Sequence, residues 1–307
     1  MRACIDIGGT KVSVSLNDGK RPDLVARRHE PTAKTGHNDA LARQILRMVD
    51  EACAQAGVAP ESVQAAGVAS CGPFVLVDGL VELAAPNICG GLAGPARGLP
   101  NDWETAVLEA PLARRFARLR VENDGIAALE AERRWGALQG VDDCAYVTWS
   151  TGVGTGLCVG GRVLRGKNGN AGHAGHMFVT EDDQALCGCG NLGDLEALVG
   201  GIFIEGRFGL DPAALMLRAQ AGDAPSLASV DQLCRVMGRA LYNLVVTLDL
   251  QRIGLGGGVF WPNRGLLLPR LQAQVSGHMR PLTAGCELVP AGLGERVGDY
   301  AALALLD

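Results

Sequence analysis

The chain has 307 residues, room for two domains or one large one. Its 48% hydrophobic and 20% charged residues are ordinary globular usage, and 43 glycines, about twice the usual share, point to many tight turns and backbone-lined ligand loops. A net charge of −5 and 4% aromatic residues exclude a broad nucleic-acid surface, and no run of 18 apolar residues is present to span a membrane.

The N-terminal MRACIDIGGTKV has one basic residue and an Asp inside its short apolar run, so it does not read as a signal peptide. Ten cysteines are scattered along the chain, most within apolar segments such as VASC and LCVGG. They read as small buried hydrophobes in a reducing compartment, and a cytoplasmic protein is expected. Only Cys187 and Cys189 form a local pair.

In chain order, Ala3–Leu16 reads as strand, tight turn at Gly8-Gly9, strand. Residues 39–57 carry apolar residues at helical spacing and stop at Gly57. VQAAGVASCG is a short buried strand, 84–103 is loop-like, 104–119 is expected to be helical, and LRVEND is a strand ending in polar residues. GIAALEAERRWGA is a helix. CAYVTWSTGVGTGLCVGGRVL repeats the opening pattern of two strands around a Gly/Thr turn. The stretch 166–196 has little periodicity, a mostly helical region follows to about 250, RIGLGGGVF is a strand entering a triple-Gly turn, and YAALALLD ends the chain as a helix. Two halves opening alike place a domain boundary near residue 120, giving 1–120 and 121–307, with the last helix able to pack back on the first domain.

Five motifs carry chemistry. In Asp6-Ile7-Gly8-Gly9-Thr10-Lys11, a carboxylate inside an apolar strand needs a partner. The two Gly let a ligand approach backbone amides of the kind that bind phosphate, with Thr10 and Lys11 as donors. The bland alternative is a hairpin turn tied by Asp6. Ser150-Thr151-Gly152-Val153-Gly154-Thr155-Gly156 is a second phosphate-cradle candidate. It lacks the following helix and the acidic residue of a dinucleotide fingerprint. The run GRVLRGKN (161–168) misses the P-loop pattern, because no Ser or Thr follows Lys167. Gly256-Gly257-Gly258 follows a buried strand and would suit a flat ring lying over backbone, or simply a loop.

Glu122-Asn123-Asp124 ends a strand before a helix. A carboxylate there faces the ligand crevice of an α/β domain and could take a proton from a substrate hydroxyl. Its ordinary alternative is a helix N-cap. Finally, His173 and His176 precede Cys187-Gly188-Cys189 and Asp194-Leu195-Glu196. One His, two close Cys and an oxygen ligand match structural zinc chemistry; buried Cys with loop His is the alternative.

Two Gly hairpins and a later Gly-Gly turn resemble the parts of an actin-like ATPase, and over essentially its whole length the chain resembles a ROK-family sugar kinase. DIGGTK and STGVGTG are similar to that family's two phosphate loops, ENDG (122–125) to its catalytic-Asp motif, and IGLGGG (253–258) to its adenosine loop. HAGH (173–176) stands for its Glu-x-Gly-His, CGCGNLGDLE (187–196) for its Cys-x-Cys-Gly-x-x-Gly-Cys-x-Glu, and Asn87 for its sugar-contacting Asn.

The resemblance implies an α/β, two-domain actin-like (ribonuclease H-like) fold with an interdomain active site. It also implies ATP- and Mg²⁺-dependent phosphorylation of a hexose, usually at the 6-hydroxyl, by a cytoplasmic homodimer that needs neither nucleic acid nor membrane. It makes Asp124 the general base and assigns sugar contacts to Asn87, Asn123, His173, His176 and Glu196. The phosphate end falls to Asp6, Gly8, Gly9, Thr10, Lys11, Thr151 and Gly152, and the adenosine to Gly256 and Gly257. A structural Zn²⁺ would sit on His176, Cys187, Cys189 and Asp194.

Two positions depart from the family pattern. His173 replaces its Glu, as in some bacterial N-acetylmannosamine kinases, which puts N-acetylmannosamine and N-acetylglucosamine beside glucose as substrates. Asp194 replaces its third zinc Cys. The family's non-catalytic sugar-responsive regulators carry a helix-turn-helix domain ahead of this part. The phosphate loop at residue 6 argues for a kinase instead.

Overall fold

The computed structural model describes residues 1–93, 98–181 and 183–306. They form two compact units, one of residues 1–131, 165–171 and 296–307 and one of 132–164 and 172–295.

The first unit opens with β1 (Arg2–Ile7), β2 (Lys11–Asn17) and β3 (Leu24–Pro31), followed by α1 (Ala40–Ala56). Leu41, Ile45, Met48, Val49 and Ala52 of α1 recur at helical spacing and are buried, and Gly57 ends the helix in the left-handed conformation. Then come β4 (Ala65–Ser70), β5 (Phe74–Val77), β6 (Leu80–Leu83), α2 (Gly90–Ala93), β7 (Ala106–Val107), α3 (Glu109–Arg115), β8 (Arg118–Asn123) and α4 (Asp124–Trp135), which runs into the second unit. The main sheet has the order β3-β2-β1-β4-β8 and a small one the order β5-β6-β7. β1, β4 and β8 are parallel and in register, with Ile7 beside Ser70 and Ser70 beside Asn123. The turn after β1 and the residue after β8 therefore emerge at one edge, the carboxyl edge where α/β sheets hold ligands.

The second unit repeats the plan. β9 (Cys144–Trp149), β10 (Val153–Val159) and β11 (Arg162–Val163) lead, after an irregular stretch, to α5 (Leu195–Val199), α6 (Gly201–Phe208), α7 (Pro212–Gln220) and α8 (Ala224–Leu248). β12 (Arg252–Gly256), α9 (Arg264–Ser276), α10 (Arg280–Thr283) and β13 (Glu287–Pro290) follow. The sheet order β11-β10-β9-β12-β13 copies that of the first unit, with the same antiparallel hairpin and parallel continuation. The last helix, α11 (Val297–Ala304), returns to the first unit and lies so close to β4 that a Cβ on Gly67 would strike the Ala302 carbonyl. A five-stranded sheet built twice on one order is the actin-like ATPase, or ribonuclease H-like, fold expected from the sequence.

The helix expected over 104–119 is shorter. Pro111 is tolerated only in a first turn, so α3 begins at Glu109, and Ala106–Val107 pairs with β6 instead. β8 completes the first sheet, so the first unit runs past residue 120 to Ala131.

Candidate active site

In the first unit the β1–β2 turn is closed by the Gly8 N–H donating to the Lys11 carbonyl (2.8 Å) and by the Thr32 hydroxyl donating to the Gly8 carbonyl (2.7 Å). Thr10 and Lys11 are exposed. Asn87 lies directly over Gly9: a Cβ there would come within 2.1 Å of the Asn87 Nδ2, so only Gly lets the two meet. The loop after β6 thus delivers Asn87 to the first phosphate-loop candidate. Asp6 sits beneath the turn. Burial and the nearby Asp124 push its carboxyl up to about 7, against the pull of Lys11.

Asn123 and Asp124 differ in environment. Asn123 is buried, and its Oδ1 accepts the Gly125 N–H (3.0 Å), capping α4. Asp124 is exposed, and its Oδ1 also accepts the Gly125 N–H (2.8 Å). The two side chains share the Gly125 N–H, so Asn123 divides with Asp124 the capping task that the sequence offered to Asp124.

In the second unit the turn between β9 and β10 is held by the Ser150 N–H on the Gly152 carbonyl, and by N–H groups of Gly201 and Ile202 on the carbonyls of Ser150 and Thr151. Thr151 is exposed at its tip. Glu196 reaches into the turn: its Oε2 accepts the Val153 N–H (3.0 Å), and a Cβ on Gly152 would meet that oxygen at 2.2 Å. The second phosphate-loop candidate and Glu196 are therefore one assembly. Gly256 ends β12, and a side chain there would meet the Tyr146 hydroxyl, while Gly257 abuts the Trp149 backbone.

His176, Cys187, Cys189 and Asp194 converge, their ligand atoms all within 4.8 Å of one another. The His176 Nδ1 is 2.9 Å from the Asp194 Oδ2 and 3.8 Å from the Cys187 Sγ, and the Cys189 Sγ is 3.3 Å from the Asp194 Oδ2. A tetrahedral zinc shell with bonds of about 2.0–2.3 Å has edges of roughly 3.3–3.8 Å, so these donors already stand near the corners. Asp194 serves twice, since its Oδ1 accepts the Ala197 N–H (2.9 Å) and caps α5. Burial works to raise the Asp194 carboxyl, but the His176 and Ala197 hydrogen bonds outweigh it and hold the group at about 2. The same His176–Asp194 bond raises the imidazole, and burial pushes the Cys187 thiol up.

The His173 and His176 rings lie 6.2 Å apart and 27° from parallel. Sequence reasoning missed Asn191, whose Nδ2 donates to the Asp194 Oδ2 at 3.3 Å. Its only signal was its place between the Cys pair and Asp194.

Within the first unit the structure brings together Asp6, Gly9, Asn87 and the Asn123–Asp124 strand end. Within the second it brings together Gly152 with Glu196, and His176 with Cys187, Cys189 and Asp194.

Comparison with known proteins finds relatives along nearly the whole chain. Over 98% of its length the chain is 28% identical to the glucokinase of Aeropyrum pernix, of which it covers 95%. It is 32% identical to the N-acetylmannosamine kinase of Escherichia coli O157:H7 over 83% of this chain and 82% of that one. Among solved structures, the ROK hexokinase from Thermus thermophilus superposes with a TM-score of 0.75 at 32% identity, over 98% of this chain and 96% of that one. Because the ROK family model matches from residue 2 to residue 307, through both units and every motif above, the chain belongs to the ROK family.

Proposed function

We propose that this protein transfers the γ-phosphoryl group of ATP to a hexose, at its 6-hydroxyl. The observation that carries the reading is the shared carboxyl edge of β1, β4 and β8. At that edge the exposed carboxylate of Asp124 and the Gly8-Gly9 turn emerge together, which supports a carboxylate working beside bound phosphates.

Asp124 orients the sugar hydroxyl and accepts its proton as the oxygen attacks phosphorus. Asn87, Asn123, His173, His176 and Glu196 bind the sugar. The amides of Gly8, Gly9 and Gly152, with Thr10, Lys11 and Thr151, bind the phosphates, and Gly256 and Gly257 lie against the adenosine. Glu196 holds the Val153 amide, which couples the sugar side of the second unit to its phosphate turn.

Asp6 fits a divalent cation, because it is a carboxyl raised by burial and by a second carboxylate, with Lys11 as its nearby counter-charge. Mg²⁺ bound with ATP neutralises charge on the phosphates. The His176–Cys187–Cys189–Asp194 set fits Zn²⁺ on its donor chemistry and spacing. His176 would then ligate through Nδ1, leaving Nε2 for the sugar. The ten cysteines form no disulfide, which supports a cytoplasmic setting.

The sugar is either glucose or an N-acetylhexosamine, and His173 supports the second option. A carboxylate at that position only accepts hydrogen bonds, whereas a neutral imidazole offers one donor and one acceptor, matching an acetamido group. A panel of glucose, mannose, N-acetylmannosamine and N-acetylglucosamine in a coupled ADP-release assay tests both levels. Hexose-dependent ADP release supports the kinase, and the ranking names the sugar. Binding of ATP and sugar with no ADP release would return the non-catalytic regulator.

A further inference from the structure

The run GRVLRGKN, which misses the P-loop pattern, has another task. Residues 165–171 belong to the first unit, although the chain on either side belongs to the second. Both ends of this loop are fastened. Arg165 donates from Nε to the Glu122 Oε1 (2.6 Å) and from a terminal nitrogen to the Glu130 Oε1 (2.8 Å). Glu122 is buried, is shared with Arg120 (3.0 Å), and stands two residues before Asp124. At the other end, the Asn170 side chain pairs with the Phe74 backbone in both directions. Its Oδ1 accepts the Phe74 N–H and its Nδ2 donates to the Phe74 carbonyl, each at 2.7 Å. The Ala171 N–H closes the loop on the Arg165 carbonyl (3.0 Å). Two residues beyond Ala171 is His173.

We propose that Arg165 and Asn170 are positioning residues for sugar binding: they anchor, to the unit that carries Asp124, the loop from which the chain enters the His173–His176 segment. The proposal rests on the sugar-kinase reading above. A segment that must place ligand groups loses affinity when its entry point is free to wander, because ordering it is then charged against binding. The anchoring contacts are made to Glu122, Glu130 and Phe74, and the chain they steady leads to His173, so the effect is expected on the sugar rather than on ATP. Arg165 also neutralises Glu122, and a charged side chain so placed is held by its partners rather than by water.

The test is Asn170→Ala in the whole enzyme, with Arg165→Gln and Arg165→Lys beside it. Asn170→Ala is expected to raise the sugar KM about tenfold, the scale of two lost hydrogen bonds. The ATP KM and kcat should stay within about twofold and Tm should fall by no more than a few degrees. Arg165→Gln should act in the same direction, and Arg165→Lys, which keeps the charge without the fork, should recover part of the loss. Lys167 is exposed at the loop tip, so limited trypsin cleavage after it reads the anchor without any activity. Cleavage should be faster in Asn170→Ala. An unchanged sugar KM despite faster cleavage overturns the proposal. So do equal rises in the sugar and ATP KM values, which mark a merely structural loop. Wild-type protein that releases no ADP with any hexose overturns the kinase reading instead, and the cleavage rates then still decide whether Asn170 is an anchor.

Discussion

Asn123 and Asp124 are neighbours with opposite exposures, and that contrast makes a clean substitution possible. Asn123 already caps α4, so Asp124→Asn should leave Tm and sugar affinity close to wild type. Removing the carboxylate proposed to take the hydroxyl proton should lower kcat by about 10²–10⁴. The ADP-release rate and a calorimetric sugar titration measure the two effects, and near-normal turnover would leave Asp124 as a helix residue only. His173→Glu tests selectivity: trading a donor–acceptor imidazole for an anionic acceptor should shift kcat/KM from N-acetylhexosamines toward glucose. An unchanged ranking would place His173 away from the sugar. Residues of this kind were legible in the sequence because their chemistry is unusual where they stand: an Asp in an apolar strand, and a Cys pair between Gly residues. The seating of Asn87 over Gly9 was not legible, because no local pattern links a loop after β6 to a turn after β1.

Among the elements, α5 joins the candidate metal site to the phosphate turn. Five residues are too few for a helix to persist alone, so α5 depends on its cap and its packing. Asp194 provides the cap with one oxygen and faces the metal position with the other, while Glu196 on the same helix holds the Val153 amide. One zinc per chain is expected by elemental analysis. Its removal with a chelator should lower Tm and weaken sugar binding together, because His176 is proposed to serve both. Asp194→Cys should bind zinc more tightly, thiolate being the softer ligand, yet cost about 1 kcal/mol in the metal-free protein through loss of the cap. Zinc-free protein turning over sugar at full rate would sink this account. Elements with a long period were readable in advance: both Gly-turn hairpins and α1 lie where the spacing put them. The small β5-β6-β7 sheet was not, since strands of two to four residues carry no period. Nor was α9, because Pro269 inside it reads as a stop.

At the scale of the whole molecule, the repeat of one strand order in two units was visible as the likeness of DIGGTK to STGVGTG. The return of the last helix to the first unit was expected, whereas the assignment of 165–171 to that unit was not visible, since it is set by side chains distant in sequence. The same first unit carries a cost for its function that pH should expose. The Asp6 carboxyl is raised from 3.8 to about 7 by burial and by Asp124. Across that interval the native protein holds a proton that the unfolded chain has released, so this group's contribution falls as pH rises from about 4 to 7 and is level above. Asp6→Asn removes the buried charge. Its Tm should therefore decline less than that of the wild type across this window and be higher at pH 8, by up to about 4 kcal/mol in stability. Turnover should collapse in the same variant, because the carboxylate proposed to serve the Mg²⁺–phosphate end is gone. Carboxylates remote from Asp6 cancel in the difference between the two Tm–pH curves, which therefore reports Asp6 together with its interaction with Asp124. Parallel curves from pH 4 to 8 would show that Asp6 ionises as readily folded as unfolded, and that the strain assigned to it is absent.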